Sequence, residues 1–120
     1  MAENENKVIK EKLIELPEGV TIEMVNAWKE RYGVKKVKLA TLSSDDFPTF
    51  DIVVRVPDRN TMGEFEKWLD KSPNKAKEIL IKACVLSNKD EVLVNDDKFL
   101  AAFNAIAEIL PIQKAIIKNL

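Results

Sequence analysis

The sequence predicts an α+β domain in which one helix precedes a small antiparallel β-hairpin and a mostly helical C-terminal half follows it. Two segments that alternate apolar and polar residues, "VKKVKLATL" and "TFDIVVRV", are separated by the six residues "SSDDFP", a spacing typical of antiparallel neighbours. Segments with apolar residues three and four apart flank this pair and indicate helices. We therefore expect a disordered tail at residues 1–6 and a single α+β domain at residues 7–120. Its hairpin is expected at about 34–56, with helices at about 61–86 and 96–119.

The first clear helix is predicted in "TIEMVNAWKERYG". Thr21 can cap its start and Gly33 can end it in a positive-φ conformation. Val25, Trp28 and Tyr32 are spaced to form one apolar face. The preceding "KVIKEKLIELPEG" fits a helix or a short strand equally well, and its Pro and Gly end either one.

In the hairpin, the first strand places Val37 and Leu39 on one side and Lys38 and Ala40 on the other. The second strand has a predominantly apolar face, formed by Phe50, Ile52, Val54 and Val56. An isolated hairpin is marginal in water, so a helix or another chain must cover that face.

In the C-terminal half, Thr61 and Glu64 form a predicted capping box, and Ser72 with Pro73 begins the next helix. "NKDEVLVNDD" is interpreted as an acidic linker. The last helix begins with Asp96 or Asp97 as its cap. Pro111 either kinks that helix or begins another one.

The composition argues against several functions. Lys and Arg number 19 against 20 Asp and Glu, so the net charge of −1 gives no footprint for nucleic acid or an anionic membrane. The chain has no histidine, the commonest general base and zinc ligand. No apolar run approaches the ~20 residues that span a bilayer. We therefore expect a non-enzyme without catalytic residues, cofactor, metal or membrane insertion.

Three segments have the residue types of a site, and each has a simpler interpretation. Cys84, the single cysteine, falls late in an apolar helical face and is interpreted as a core residue. The Asn- and Asp-rich residues 88–97 lack the spacing of a calcium-binding EF-hand loop and are interpreted as a turn and a cap. The basic residues Lys35, Lys36 and Lys38 are interpreted as a solvated strand face.

The C-terminal apolar stripe has two interpretations, formation of the core and binding of a partner. Its residues are Phe99, Leu100, Phe103, Ile106, Ile109, Leu110, Ile112, Ile116, Ile117 and Leu120. Burying each such side chain stabilises by about 1.5–3 kcal/mol, so several should not remain in water. The pattern leaves open whether the stripe is buried within the domain or on a partner.

The layout from "VRVPDRNTMGEFEKWL" through "KAKEILIKACVL" to "DDKFLAAFNAIAEIL" resembles the small tail assembly chaperones of long-tailed bacteriophages and prophages. The resemblance covers about residues 34–120. It rests on a strand leading into a polar-Pro turn, a helix ending in Cys84-Val85-Leu86, an acidic linker and a final apolar helix.

The resemblance implies a non-catalytic protein of the host bacterial cytoplasm that coats the long tape measure protein until tail tube subunits replace it. Self-association remains open. As a hypothesis, the partner-binding residues are Trp68, Phe99, Phe103, Ile106, Leu110 and Ile116. The alternatives are a structural virion component (neck, tail or internal protein) and, on the basic residues 35–38, a small nucleic-acid-binding regulator.

Overall fold

The computed structural model describes residues 15–110 and 115–120, and it confirms the α+β fold. A short 3₁₀ turn, Val34–Lys36, leads into the first strand. The elements are α1 (Ile22–Tyr32), β1 (Val37–Ser44), β2 (Phe47–Arg55), α2 (Arg59–Leu69), α3 (Pro73–Cys84), α4 (Lys89–Val94) and α5 (Asp96–Glu108). The predicted disordered tail and most of the ambiguous segment after it lie outside the described residues.

The register of the hairpin determines which face packs on the core. Ala40 pairs with Ile52 and Leu42 with Phe50 in the antiparallel ladder, so these four residues share one face. Leu39, on the other face, remains 40% exposed. The core side of β1 is therefore the side of Ala40, because β2 has its larger apolar residues on that face.

The outer edge of β2 is paired by the segment that follows α3. Val54 and Val85 form an isolated antiparallel bridge. The Leu86 amide donates to the Val53 carbonyl at 2.8 Å, and the Val53 amide donates to Ser87 Oγ at 2.8 Å. These bonds satisfy backbone groups that are buried, and they explain why the segment after Cys84 is fixed to the sheet.

The core is formed between the hairpin and helices α3 and α5. Its buried members are Leu42, Ile52, Val54, Leu80, Ile81, Cys84, Val85, Val92, Ala102 and Ile106. Ala102 and Ile106 of α5 have no exposed surface. Helix α5 is therefore part of the core of the domain, and the burial of its apolar side chains contributes to the stability of the fold.

Helix starts differ from the sequence prediction in two places. Asp58 Oδ1 accepts the Thr61 amide at 2.8 Å, so α2 begins with Asp58 as its cap and the predicted Thr61–Glu64 box does not form. Asn95 Oδ1 accepts the Lys98 amide at 2.9 Å and caps α5 in place of Asp96 or Asp97. In both cases an Asx residue three positions before the amide satisfies an unpaired helix N–H.

The last helix is shorter than expected. It ends at Glu108, where the Ile109 amide donates to the Ile106 carbonyl at 3.1 Å in a tightened final turn. Pro111 disfavours the helical conformation at Leu110 and cannot donate to the helix. Residues 115–120 have no helical or strand structure, so the predicted continuation to about 119 does not occur there.

The predicted acidic linker contains the short helix α4. Val92 of this helix is wholly buried in the core. Asn88 precedes it with φ 57°, a left-handed conformation that Asn tolerates better than most residues. This turn reverses the chain after α3 and lets Val92 reach the core.

Arg55 of β2 contacts residues of α3, of the α2 cap and of α1. Its Nε donates to the Ala83 carbonyl of α3 at 2.9 Å, and its guanidinium lies 3.6 Å from Asp58 Oδ2. The guanidinium carbon is 4.7 Å from the ring centroid of Tyr32 on α1, within cation–π range. Arg55 is 9% exposed, so these partners replace most of its hydration.

Candidate functional site

The six residues predicted to bind a partner do not share one surface. Ile106 is fully buried, and Phe99 and Phe103 are half-buried against the core cluster. Leu110 and Trp68 are half-buried, whereas Ile116 is 87% exposed. The structure therefore brings most of the α5 stripe to the core and leaves Ile116 available to a partner.

The strongest apolar exposure lies in the C-terminal segment, residues 115–120. Ile116 and Ile117 are 87% and 93% exposed, and Leu120 is fully exposed. The sequence hypothesis selected Ile116 but neither Ile117 nor Leu120. The sequence signal that separates these residues from the rest of the stripe is Pro111, because a proline interrupts the hydrogen bonding of the helix that contains the earlier part of the stripe.

A second candidate surface surrounds the connection between α2 and α3, and we call it the basic surface: Trp68, Leu69, Lys71 and Lys75. Lys75 Nζ lies 3.8 Å from the Trp68 ring centroid, and Lys71 Nζ lies 6.0 Å from it. Leu69 is 43% exposed. Trp68 is thus a half-buried aromatic flanked by ammonium groups, an arrangement that suits an acidic partner.

A neighbouring pair of aromatic residues contributes to the packing of helices. Phe65 and Phe103 have ring centroids 6.4 Å apart and join α2 to α5. Lys77 Nζ lies 5.4 Å from the Phe103 centroid. Such tilted pairs add about 0.5–1.5 kcal/mol beyond area burial, so Phe103 contributes to the packing of these helices.

A third candidate surface surrounds the hairpin loop and the first turn of α5, and we call it the acidic surface: Asp45, Asp46, Asp96 and Asp97. Hydrogen bonding to the Asp46 carboxyl group, then burial, then charge repulsion from Asp46 and Asp96 raise the pKa of Asp97 above its ordinary value. Across residues 15–110 and 115–120, no group of three or more acidic or cysteine side chains is arranged to hold a metal ion.

Asp46→Asn is expected to raise the unfolding midpoint at neutral pH. The raised pKa of Asp97 means that its ionised form is disfavoured in the folded state, so the penalty is present above that pKa and disappears below the unfolded value near 3.8. The gain should therefore vanish as the pH falls through the carboxyl range. Thermal unfolding across pH measures this. Asp45→Asn, the same charge change in the same loop, is the matched control, and an equal gain there would exclude a specific Asp46–Asp97 contact.

Cys84 is a core residue. It has no exposed surface, and burial raises the pKa of its thiol to about 11. The thiolate is the reactive form of cysteine. The Cys84 thiol is therefore neither accessible to a reagent nor ionised at neutral pH.

Labelling of Cys84 by a thiol reagent is expected to follow unfolding. In native buffer the labelling rate should be at least a hundredfold below that of the denatured chain and should rise with urea in parallel with the unfolded fraction. Mass spectrometry at timed intervals measures the rate. Rapid complete labelling without denaturant would show that the site is open.

The aromatic ring closest in sequence to the predicted basic strand face, Tyr32, is already in contact with two cations. Lys35, Lys36 and Lys38 are exposed. The nearby Tyr32 ring is engaged by the guanidinium groups of Arg31 and Arg55, at 5.3 Å and 4.7 Å. Single-stranded nucleic acids are usually bound through stacking on open aromatic faces. The contacts of Tyr32 therefore favour the interpretation of Lys35, Lys36 and Lys38 as a solvated face.

Comparison with known proteins supports the fold. No family model and no curated protein matches the chain. The structure is similar to that of an uncharacterised protein from Bacillus stearothermophilus, with a TM-score of 0.56 and 16% identity over 79% of this chain and 99% of that one. None of the helices in the described residues combines the length and apolar content that crossing a bilayer requires.

Proposed function

We propose that this protein is a bacteriophage tail assembly chaperone, a non-catalytic protein that binds the tape measure protein while the tail is assembled. The observation that supports this proposal is the exposed apolar C-terminal segment. Ile116, Ile117 and Leu120 are exposed to solvent, and the core cluster contains none of them. The resemblance of residues 34–120 to the small tail chaperones suggests the class of partner.

The size of the C-terminal segment suits reversible binding. Burying three large aliphatic side chains contributes about 4–9 kcal/mol before association costs. Ordering the segment and losing rotational freedom offset part of that gain. A chaperone that tail tube subunits must displace needs such moderate affinity, because a partner held at nanomolar strength would block the exchange.

The alternative is a structural virion component that stays with the particle. The partner of the C-terminal segment would then be a neighbouring virion subunit. The two functions differ in where the protein remains after assembly, in the host bacterial cytoplasm or in the finished virion.

Quantitative mass spectrometry of infected cells and of purified particles tests the proposal. We expect the protein in tape measure complexes recovered from cells and its absence from finished particles. A fixed copy number in particles would favour the virion component. Absence from tape measure complexes as well as from particles would overturn both functions.

A further inference from the structure

The two outer edges of the hairpin differ in their backbone hydrogen bonds. The edge of β2 is closed, because the Val53 carbonyl accepts the Leu86 amide and the Val53 amide donates to Ser87 Oγ, both at 2.8 Å. Across residues 15–110 and 115–120, no hydrogen bond outside the ladder joins a backbone group of residues 37–41 of β1. A strand edge of this kind can pair with another extended chain.

The register shows which backbone groups of β1 point outward. The Val56 amide donates to the Lys36 carbonyl at 2.8 Å, so these two residues are a hydrogen-bonded pair. Hydrogen-bonded and non-hydrogen-bonded pairs alternate along antiparallel strands. Leu39, which lies opposite Val53, is therefore in a non-hydrogen-bonded pair, and so is Thr41. The amides and carbonyls of Leu39 and Thr41 point away from β2.

The charge along this edge is positive. Residues 29–44 contain five lysine or arginine residues and one acidic residue, Glu30, a net charge of +4. The register shifts between Leu42 and Ser44, so the regular part of the edge ends before the acidic hairpin loop. Within the regular part, Lys38 is exposed, and the exposed Lys36 directly precedes it.

The side chains of this edge alternate between two faces. Lys36 and Lys38 are two positions apart and share one face, whereas Leu39, at 40% exposure, lies on the other. A strand added beside β1 would present its own side chains with the same alternation. Carboxylates opposite the two lysines would therefore leave the intervening residue on the face of Leu39.

We propose that the outer edge of β1 binds an extended acidic segment of a partner protein, which adds to the hairpin as a third strand. Leu39 and Thr41 exchange backbone hydrogen bonds with the segment, and Lys36 and Lys38 pair with its carboxylates. In strand addition the main chain provides affinity, and alternate side chains provide specificity. This interaction concerns the hairpin and does not depend on which protein the C-terminal segment binds.

Two other occupants fit this edge less well. A second copy of the chain would bring its own Lys36 and Lys38 to the same short edge, and like charges on neighbouring strands are destabilising. The phosphates of a DNA strand can accept from the outward amides of Leu39 and Thr41. They offer no donor to the outward carbonyls.

Hydrogen exchange followed by NMR tests the edge in the full chain. In the free protein, the Leu39 and Thr41 amides should exchange at least tenfold faster than the Ala40 amide, which belongs to the ladder. A synthetic peptide in which glutamate and valine alternate should slow their exchange, and its binding should weaken as salt screens the charges. Protection of both amides in the free protein would show that the edge is already paired, which would overturn the proposal.

Thr41→Pro removes one outward amide hydrogen and leaves the ladder donors in place, since proline is tolerated where a strand N–H faces outward. Thr41→Val is the matched control, because it keeps the amide and the branched shape. Fluorescence titration with the same peptide should give an affinity at least tenfold weaker for Thr41→Pro and unchanged for Thr41→Val. Equal affinities of the two folded variants would overturn the proposal.

A charge variant keeps the proposal testable if Thr41→Pro does not fold. Lys36→Gln/Lys38→Gln should weaken peptide binding at least threefold, whereas Lys71→Gln/Lys75→Gln, the same charge change on the basic surface, should bind like wild type. Equal binding of a peptide in which lysine replaces glutamate would overturn the proposal. So would binding of single-stranded DNA instead of the peptide, or self-association in sedimentation velocity that Lys36→Gln/Lys38→Gln strengthens at the expense of peptide binding.

Discussion

Ile106→Ala is expected to lower the free energy of unfolding by about 2–5 kcal/mol. Ile106 has no exposed surface and lies in the core cluster formed by the hairpin, α3 and α5. Removing its outer carbons loses apolar burial and leaves a cavity that tight neighbours fill only in part. Urea denaturation followed by circular dichroism measures the change, and the slope should stay near wild type because the same surface is exposed on unfolding.

Leu100→Ala is the matched control on the same helix. Leu100 is 48% exposed, so its truncation should cost less than about 1 kcal/mol. Ile106→Ala within about 0.5 kcal/mol of wild type would mean that α5 is not part of the core. Equal losses in the two variants would mean that the helix packs with another face.

Arg55→Met is expected to lower the free energy of unfolding by about 1–3 kcal/mol. Met keeps most of the side-chain length but leaves the Ala83 carbonyl without the Nε donor at 2.9 Å. It also removes the guanidinium from the Tyr32 ring and from Asp58. The ion pair with the exposed Asp58 carboxylate adds little, because water screens it.

Arg31→Met is the control for Arg55. Arg31 is exposed and its guanidinium lies 5.3 Å from the same Tyr32 ring. Its replacement should change stability by less than about 0.5 kcal/mol. If the two variants have equal effects in chemical denaturation, the hydrogen bond from Arg55 to the Ala83 carbonyl does not account for the stabilising role of Arg55.

The elements with strong local patterns were predictable from sequence. Alternation and a six-residue loop predicted the hairpin. Helical spacing, with Thr21 at one start and Ser72 with Pro73 at another, predicted α1 and α3. The core side of β1 was not predictable, because Leu39 and Leu42 lie on opposite faces and only pairing with β2 selects between them. The caps at Asp58 and Asn95 were missed because several neighbouring residues can each accept the same amide.

The candidate surfaces were less predictable from the sequence. A stripe such as that of Phe99, Phe103 and Ile106 has the same spacing whether it fills a core or binds another protein. The packing of α5 on the hairpin and α3 buries Ile106 fully and Phe99 and Phe103 only in part, which the spacing alone does not indicate. The acidic surface combines residues of the hairpin loop with residues of the first turn of α5, so a linear charge pattern does not indicate that Asp46 lies close to Asp97.

We propose a division of the apolar residues, in which those of α5 fill the core and those of residues 115–120 bind the tape measure protein. The triple variant Ile116→Ser/Ile117→Ser/Leu120→Ser tests it, with isothermal titration against the tape measure protein and urea denaturation on one preparation. We expect an unfolding midpoint equal to wild type and an affinity at least tenfold weaker, because the side chains are exposed in the free protein. Unchanged affinity would show that residues 115–120 do not bind the tape measure protein, and a loss of stability comparable with that of Ile106→Ala would show that they belong to the core.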